Sequence, residues 1–360
     1  MEVLDVTNLA MAGRHFKSTV RKSAARIYYL SRLYRTRHRG EVLILTYHRI
    51  LSQDQLQKRY VQPGMYVLDY AFEQHLQFLQ EHFQVLSFGE LLERWKKKIW
   101  DRQQRYCVIT FDDGWLDNYL YAYPLLKKHR LPATIFLPTD FVGTKEWFWP
   151  ERICYFVEQS ENPNLDSSKR AGFWFYMEQF LGGGRNNAPA STADRTNDSE
   201  HTCDRIIERC KDLPVETIHE LIGCLGGTLE LKIPEERIVV DWDEVDQMSQ
   251  GGISFGSHSC SHRILTRLPW HEAKRELEES NQVLQKKRIN HVPIFCYPNG
   301  DCNLAIQNLA RDCGYLAAVG VRSGSEGESP QNPFELNRIG VHNDIASTIP
   351  LFAFHILGPL

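Results

Sequence analysis

Two adjacent carboxylates and, far downstream, two imidazoles four positions apart are the groups in this 360-residue chain best suited to hold a cation and move a proton. The carboxylates lie in Val108-Ile109-Thr110-Phe111-Asp112-Asp113-Gly114, directly after an apolar run. Neighbouring side chains on an extended chain point in different directions, so one aspartate can ligate an ion while the other addresses a water. An ordinary Asp-Asp-Gly turn has the same sequence. The imidazoles lie in Ser257-His258-Ser259-Cys260-Ser261-His262. Histidines at i and i+4 converge on one ion if the segment is helical or tightly turned, although such a pair standing alone is more often solvated surface. Combined, the segments offer one carboxylate and two imidazoles, with a remaining coordination position for water, as a catalytic zinc requires. A third segment, Ile294 to Gly300, runs from a strand into Pro298-Asn299-Gly300. Backbone N–H groups at such a turn can meet a developing oxyanion; most Pro-Asn-Gly segments are plain turns.

These groups need a scaffold, and the apolar pattern supplies one. Val42–Tyr47, Tyr106–Phe111 and Ala133–Leu137 read as buried strands, followed by 253–256, 294–297 and 316–320. Helical spacing occupies 72–83, 88–95, 119–128 and 270–287. Strands alternating with helices predict parallel βα units, in a barrel or an open doubly wound sheet, with active groups at the C-terminal strand ends. Residues ~150–240 interrupt the rhythm with a polar Asn/Ser/Gly-rich stretch, 182–200, between helix-like segments. This reads as an insertion with its tip at that stretch. The domain reading is a basic segment 1–40, a barrel over 41–345 carrying the insertion, and a tail over 346–360.

The order of the motifs resembles the polysaccharide deacetylase superfamily, whose catalytic domain is the NodB-homology domain. Thr110–Gly114 matches its Thr-Phe-Asp-Asp-Gly motif, His258–His262 its His-x-x-x-His motif, and Cys296–Gly300 the position of its Arg-x-Pro-Tyr motif. Similar text recurs at Leu45–Ile50, Pro132–Leu137, Asp241–Val245 and Glu276–Ser280, so that the resemblance covers roughly 41–140 and 240–340. It implies a distorted (β/α) barrel, a divalent ion such as Zn2+, and removal of N-acetyl groups from an N-acetylated oligo- or polysaccharide. By position it implies Asp113, His258 and His262 as metal ligands and Asp112 as the base that deprotonates the metal's water. Asn299, through the backbone N–H near it, and Tyr297 would bind the substrate and its oxyanion.

The chain departs from the family pattern in three places. The motif arginine aligns with Cys296, so its effect on the base is missing or supplied elsewhere. The motif tyrosine aligns with Asn299, and no Asp-Trp pair follows Gly300. For the acid that protonates the departing amine, His342 in Val341-His342 competes with His48 at the end of the first strand, which reads equally as a structural imidazole. Arg338 can face the cleft or pair on the surface. Trp147-Phe148-Trp149 can stack on a sugar or anchor a helix start, and His201 reads as surface. Two other functions stay open: a non-catalytic glycan-binding or scaffold protein with a degenerate site, and a hydrolase of another C–N bond such as a cyclic amide.

Composition is that of an ordinary globular protein, 42% hydrophobic and 24% charged with a net charge of −3. Nine cysteines without a Cys-x-x-Cys pair read as reduced thiols rather than a disulfide framework. Residues 1–40 carry nine Arg/Lys against Glu2 and Asp5, and Phe16, Val20, Ala24, Ile27 and Tyr28 recur at helical steps. This basic amphipathic segment, 14–39, can pack on the main domain or lie peripherally on an anionic membrane. No base-stacking motif accompanies it, so nucleic acid is not an expected partner. No secretory signal or spanning run is visible, and the expected location is cytoplasmic, including the inner membrane face.

Overall fold

The computed structural model describes residues 19–58, 61–62, 64–181 and 199–359. The chain divides into two compact units, of which the first holds the described residues of 1–52, 63–144 and 239–360. Its framework is a wholly parallel sheet, built from β1 (Val42–Tyr47), β4 (Gln84–Val85), β5 (Tyr106–Phe111), β6 (Thr134–Leu137), β7 (Ser254–Ser257), β8 (His291–Cys296), β9 (Ala317–Val319) and β10 (Ile339–Gly340). The order is β10-β1-β5-β6-β7-β8-β9, with β4 beside the start of β5. A parallel bridge from Leu336, just before β10, to Val319 in β9 brings the two ends of the sheet together. The result is a distorted (β/α) barrel with a seam between β9 and β10.

β1 and β5 are buried along their whole length, which is why they read as continuous apolar runs rather than alternating ones. One face of the alternation fills the interior. Val42 and Ile44 of β1, Tyr106 and Val108 of β5, Phe136 of β6, and Ile294 and Cys296 of β8 form a single apolar cluster. Thr46 and Thr110 extend the same period at the C-terminal strand ends.

Helices cover the outside: α3 (Asp69–His82), α4 (Phe88–Lys97), α5 (Tyr123–His129), α10 (Trp242–Gln250), α11 (Trp270–Lys286) and α12 (Leu304–Asp312). Sequence-encoded capping boxes start two of them. Ser87 with Glu90 at α4 and Asp241 with Glu244 at α10 close reciprocal capping boxes. The 119–128 segment opens as a wide turn over Asn118–Ala122 before α5 begins. A small second sheet pairs β2 (Arg49–Leu51) with β3 (Tyr66–Leu68).

Two expectations about the ends need correction. The 346–360 tail is instead an integral helix, α14 (Ile349–Leu357), whose Leu351, Phe352, Ala353, Ile356 and Leu357 are buried and which packs on α3. At the other end, residues 19–30 form α1, but it packs through Ala25 and Tyr28 while Val20 and Ile27 are exposed. Phe16, Arg14 and Lys17 lie outside the described residues.

The second unit holds 145–238 together with the described part of 53–62. It is helical: α2 (Gln53–Leu56), α6 (Trp149–Ser160), α7 (Ser167–Leu181), α8 (Ser199–Cys210) and α9 (Val215–Leu229). Its own core includes Ile153, Phe156, Phe173, Cys210, Leu221 and Leu225, so 145–238 carry a packed unit and not only a polar loop. Trp147 donates its indole N–H to the Glu236 carbonyl and is buried, which is the helix-anchor reading. The polar tip and the side chain of His201 lie outside the described residues. All nine cysteines are free thiols.

Candidate active site

β5 delivers the two aspartates to different neighbourhoods. Residues 106, 108 and 110 face the barrel interior, so the period carries Asp112 inward as well; its backbone N–H still pairs with the Tyr47 carbonyl at 3.0 Å. Asp113 then takes a left-handed conformation, φ 69°, which turns its carboxylate away from that of Asp112. Gly114 follows at φ 63°, where a Cβ would lie 2.6 Å from Leu137, so only glycine fits this turn.

Asp113 meets both imidazoles. His258 Nε2 lies 3.2 Å and His262 Nε2 3.1 Å from its Oδ1. The other oxygen, Oδ2, accepts the Trp115 indole N–H at 2.9 Å, which orients the carboxylate. His258 Nδ1 lies 2.8 Å from the Cys296 carbonyl. A carbonyl only accepts, so Nδ1 carries a proton, which leaves Nε2 as the atom directed at Asp113 and placed to ligate a cation. The histidine loop is held by buried Glu276 of α11, whose Oε2 accepts the Cys260 and Ser261 N–H groups at 2.8 and 2.9 Å. Ser259 and His262 both take left-handed conformations, so convergence comes from a tight turn and not from a helix. One carboxylate and two imidazoles with ligand atoms within 4.8 Å of one another are the donor set of a divalent cation site, and the residues fit such an ion.

Asp112 is held differently. Arg338 forks onto it, Nη1 to Oδ1 at 2.7 Å and Nη2 to Oδ2 at 2.8 Å. The same guanidinium donates to the Gly320 carbonyl, to Thr46 Oγ1 and to Cys296 Sγ. Its residue sits at the β9–β10 seam and is wholly buried. The cation that Cys296 does not supply therefore arrives from residue 338, and the surface alternative for Arg338 is excluded. Burial by itself would raise the Asp112 carboxyl, but the Arg338 charge and hydrogen bonds outweigh it and hold the group below the ordinary carboxylate range. Burial opposes ionisation of Asp113 too, and there the two imidazoles win and hold it well below that range. Asp112, His258 and Cys296 also cluster within 4.8 Å. With Arg338 on both Asp112 oxygens and on the thiol, that cluster is an ion pair rather than a metal site.

The remaining candidates separate. His48 Nε2 lies 4.0 Å from Asp112 Oδ2, with its ring partly exposed. His342 lies beside Asp344, Nδ1 to Oδ2 3.5 Å. Asn299 sits in the turn after β8 at φ 58°, exposed, its amide donating to Asp301. Tyr297 needs correction as a substrate contact. Its side chain is buried against Phe295 and Tyr315, and its hydroxyl donates to the Phe334 carbonyl, because an outward tyrosine here would abandon a full hydrogen bond and its apolar packing.

The sequence profile of the family described as polysaccharide deacetylase matches residues 101–165 and 218–318. YxkH of Bacillus subtilis, named for the same family, is 33% identical over 123 residues, 33% of this chain and 39% of that protein. The poly-beta-1,6-N-acetyl-D-glucosamine N-deacetylase of Staphylococcus epidermidis is 27% identical over 151 residues, 38% of this chain and 47% of that one. The chain thus spans less than half the length of either relative. Among solved structures, the deacetylase PplD of Streptococcus pyogenes superposes with a TM-score of 0.54 at 18% identity, covering 89% of this chain and 99% of that one. IcaB from Ammonifex degensii gives 0.53 at 15% identity, covering 87% and 97%. Over those two matched stretches the chain is similar to the polysaccharide deacetylase family, and its barrel is the fold that the solved structures share.

Proposed function

We propose that this chain is a divalent-cation-dependent hydrolase that removes N-acetyl groups from an amino-sugar glycan. The observation that carries the reading is the division of labour between the adjacent aspartates: Asp113 joined to two imidazoles, Asp112 forked by a buried arginine. Zn2+ is the expected ion, since two imidazoles and one carboxylate suit it. When bound, the cation polarises the acetyl carbonyl and lowers the pKa of water.

The chain's own residues do the rest. Asp112 accepts a proton from the attacking water; each of its oxygens keeps a second lone pair beyond the one Arg338 uses. Arg338 keeps that carboxylate ionised and aimed. The backbone N–H at Asn299 donates to the oxyanion that forms as water adds to the carbonyl. His48, on the open side of Asp112, gives a proton to the nitrogen as the C–N bond breaks, leaving acetate and a free amine. The named activity of the Staphylococcus epidermidis relative supports a polymer of N-acetylglucosamine as the substrate class. The alternative of a binding protein with a dead site rests on Cys296 and on the general acid; Arg338 answers the first, and the His48 and His342 variants below test the second.

The test is acetate release from N-acetylglucosamine oligomers by the zinc-loaded protein. Asp112→Asn should lower kcat by about 10²–10⁴ while zinc stays bound. Turnover that survives this change overturns the assignment of the base. His48→Gln should lower kcat while His342→Gln leaves it near wild type; the reverse order transfers the acid role to His342.

A further inference from the structure

The first described helix shows two unlike faces. α1, residues 19–30, docks through Tyr28, whose hydroxyl donates to the Leu357 carbonyl at the end of α14 and whose ring packs edge-on to Phe354. On a neighbouring flank, Val20, half-buried Ala24 and Ile27 follow one another at i, i+4 and i+7, and Leu30 stands beside Ile27 on the side away from Tyr28. Val20 is 51% exposed, Ile27 69%, Leu30 70%, and Leu33 in the next turn 59%. Four large aliphatic side chains within fourteen residues therefore face away from the protein.

Cations surround them. Lys22, Arg26, Arg32, Arg35, Arg37 and Arg39 are all exposed, and no Asp or Glu occurs between residues 19 and 40. The rest of the chain has the opposite balance: of 42 basic and 45 acidic residues, nine and two fall in the first 40, leaving 33 against 43. The charge asymmetry has a direction in the fold. Gly40 bonds to Gln104, Arg105 to the Tyr34 carbonyl, and Trp100 to the Gly40 carbonyl, all next to where β1 and β5 begin. The Asp/His groups stand where β5 ends.

We propose that α1 and the turn after it form a docking surface for an anionic lipid bilayer, with the aliphatic stripe among the acyl chains and the flanking cations on lipid phosphates. An amphipathic element of this kind needs both an apolar stripe and cationic flanks, and both are present. A second copy of this chain fits poorly, because a two-fold contact would set the same cations against one another. Among the described residues no helix is long and apolar enough to cross a membrane, and the docking proposed is a peripheral one through α1 and its turn. Docked this way, the protein presents the opposite edge of the barrel, with its aspartates, away from the lipid.

Flotation of the full-length protein with vesicles of phosphatidylcholine, with and without phosphatidylglycerol, tests this. The protein should float with the anionic vesicles only, and less so as salt rises. Lys22→Glu with Arg26→Glu should weaken binding at least about tenfold, and Ile27→Asp with Leu30→Asp should abolish it. All four positions are exposed, so helicity and acetate release from a soluble oligomer should stay at wild-type values. Failure of the wild type to float, equal flotation of wild type and variants, or a dimer that the aspartate variants dissolve would overturn the proposal. Because flotation reads no turnover, its outcome is independent of the deacetylase assignment.

Discussion

Arg338 and Asp112 face each other as a buried ion pair, and such a pair behaves asymmetrically when half of it is removed. Arg338→Met should destabilise the protein by about 3–5 kcal/mol, since a buried carboxylate would be left without its counter-charge. It should also lower kcat and move the acid limb of the kcat/KM profile to higher pH, because burial then acts on Asp112 without its main opponent. Arg338→Lys should recover part of the stability and less of the rate, for an ammonium cannot fork onto two oxygens. Unfolding midpoints and pH–rate profiles check all three. The aspartates and histidines were legible in the sequence because each pair is adjacent or nearly so, in text a family shares. The arginine was named but not placed. It lies 226 positions from its partner, and only closure of the barrel brings the two together.

Among the elements, the strands were legible for a simple reason: parallel strands buried on both faces leave unbroken aliphatic runs. α14 was not. It has nine residues, begins Ile349-Pro350, and is apolar nearly all round, so no helical period marks it. It is apolar because α3 covers one side and Tyr28 of α1 meets its end. α1 shows the converse fault of periodicity, which finds an amphipathic stripe but does not say which side is docked. The α3–α14 contact also makes a pH prediction. His75 of α3 stacks on Phe352 at 3.9 Å and donates Nε2–H to the Ala346 carbonyl, fully buried. Burial pushes its pKa down to about 3. The unfolded chain binds a proton below about pH 6.5 that the native state refuses, so this stabilisation is complete above that pH. It is lost as pH falls from about 6.5 towards 3, by up to about 1.4 kcal/mol per unit. His75→Gln should be less stable at pH 7 yet flatter between pH 6.5 and 5, as thermal unfolding at the two values would show.

For the whole molecule, the cation site and the seam act as separate clasps on one barrel. Asp113 and the two histidines join the end of β5 to the loop after β7, so a bound ion adds to global stability. Removing the divalent cation with a chelator should lower Tm, and restoring it to about a hundredfold over its Kd should return about 2.7 kcal/mol. Asp113→Ala should be insensitive to either treatment in calorimetry. The second clasp closes late in the chain. A polypeptide emerging from the ribosome has both aspartates by residue 113 and both histidines by 262, yet lacks the guanidinium until residue 338 is made and the seam has formed. Until then the carboxylate lacks the group that holds it ionised and aimed once the barrel closes around it. Truncation before Arg338 should therefore leave Asp113, His258 and His262 in the chain but remove the partner that holds Asp112 for proton transfer, as acetate release by such a variant would show.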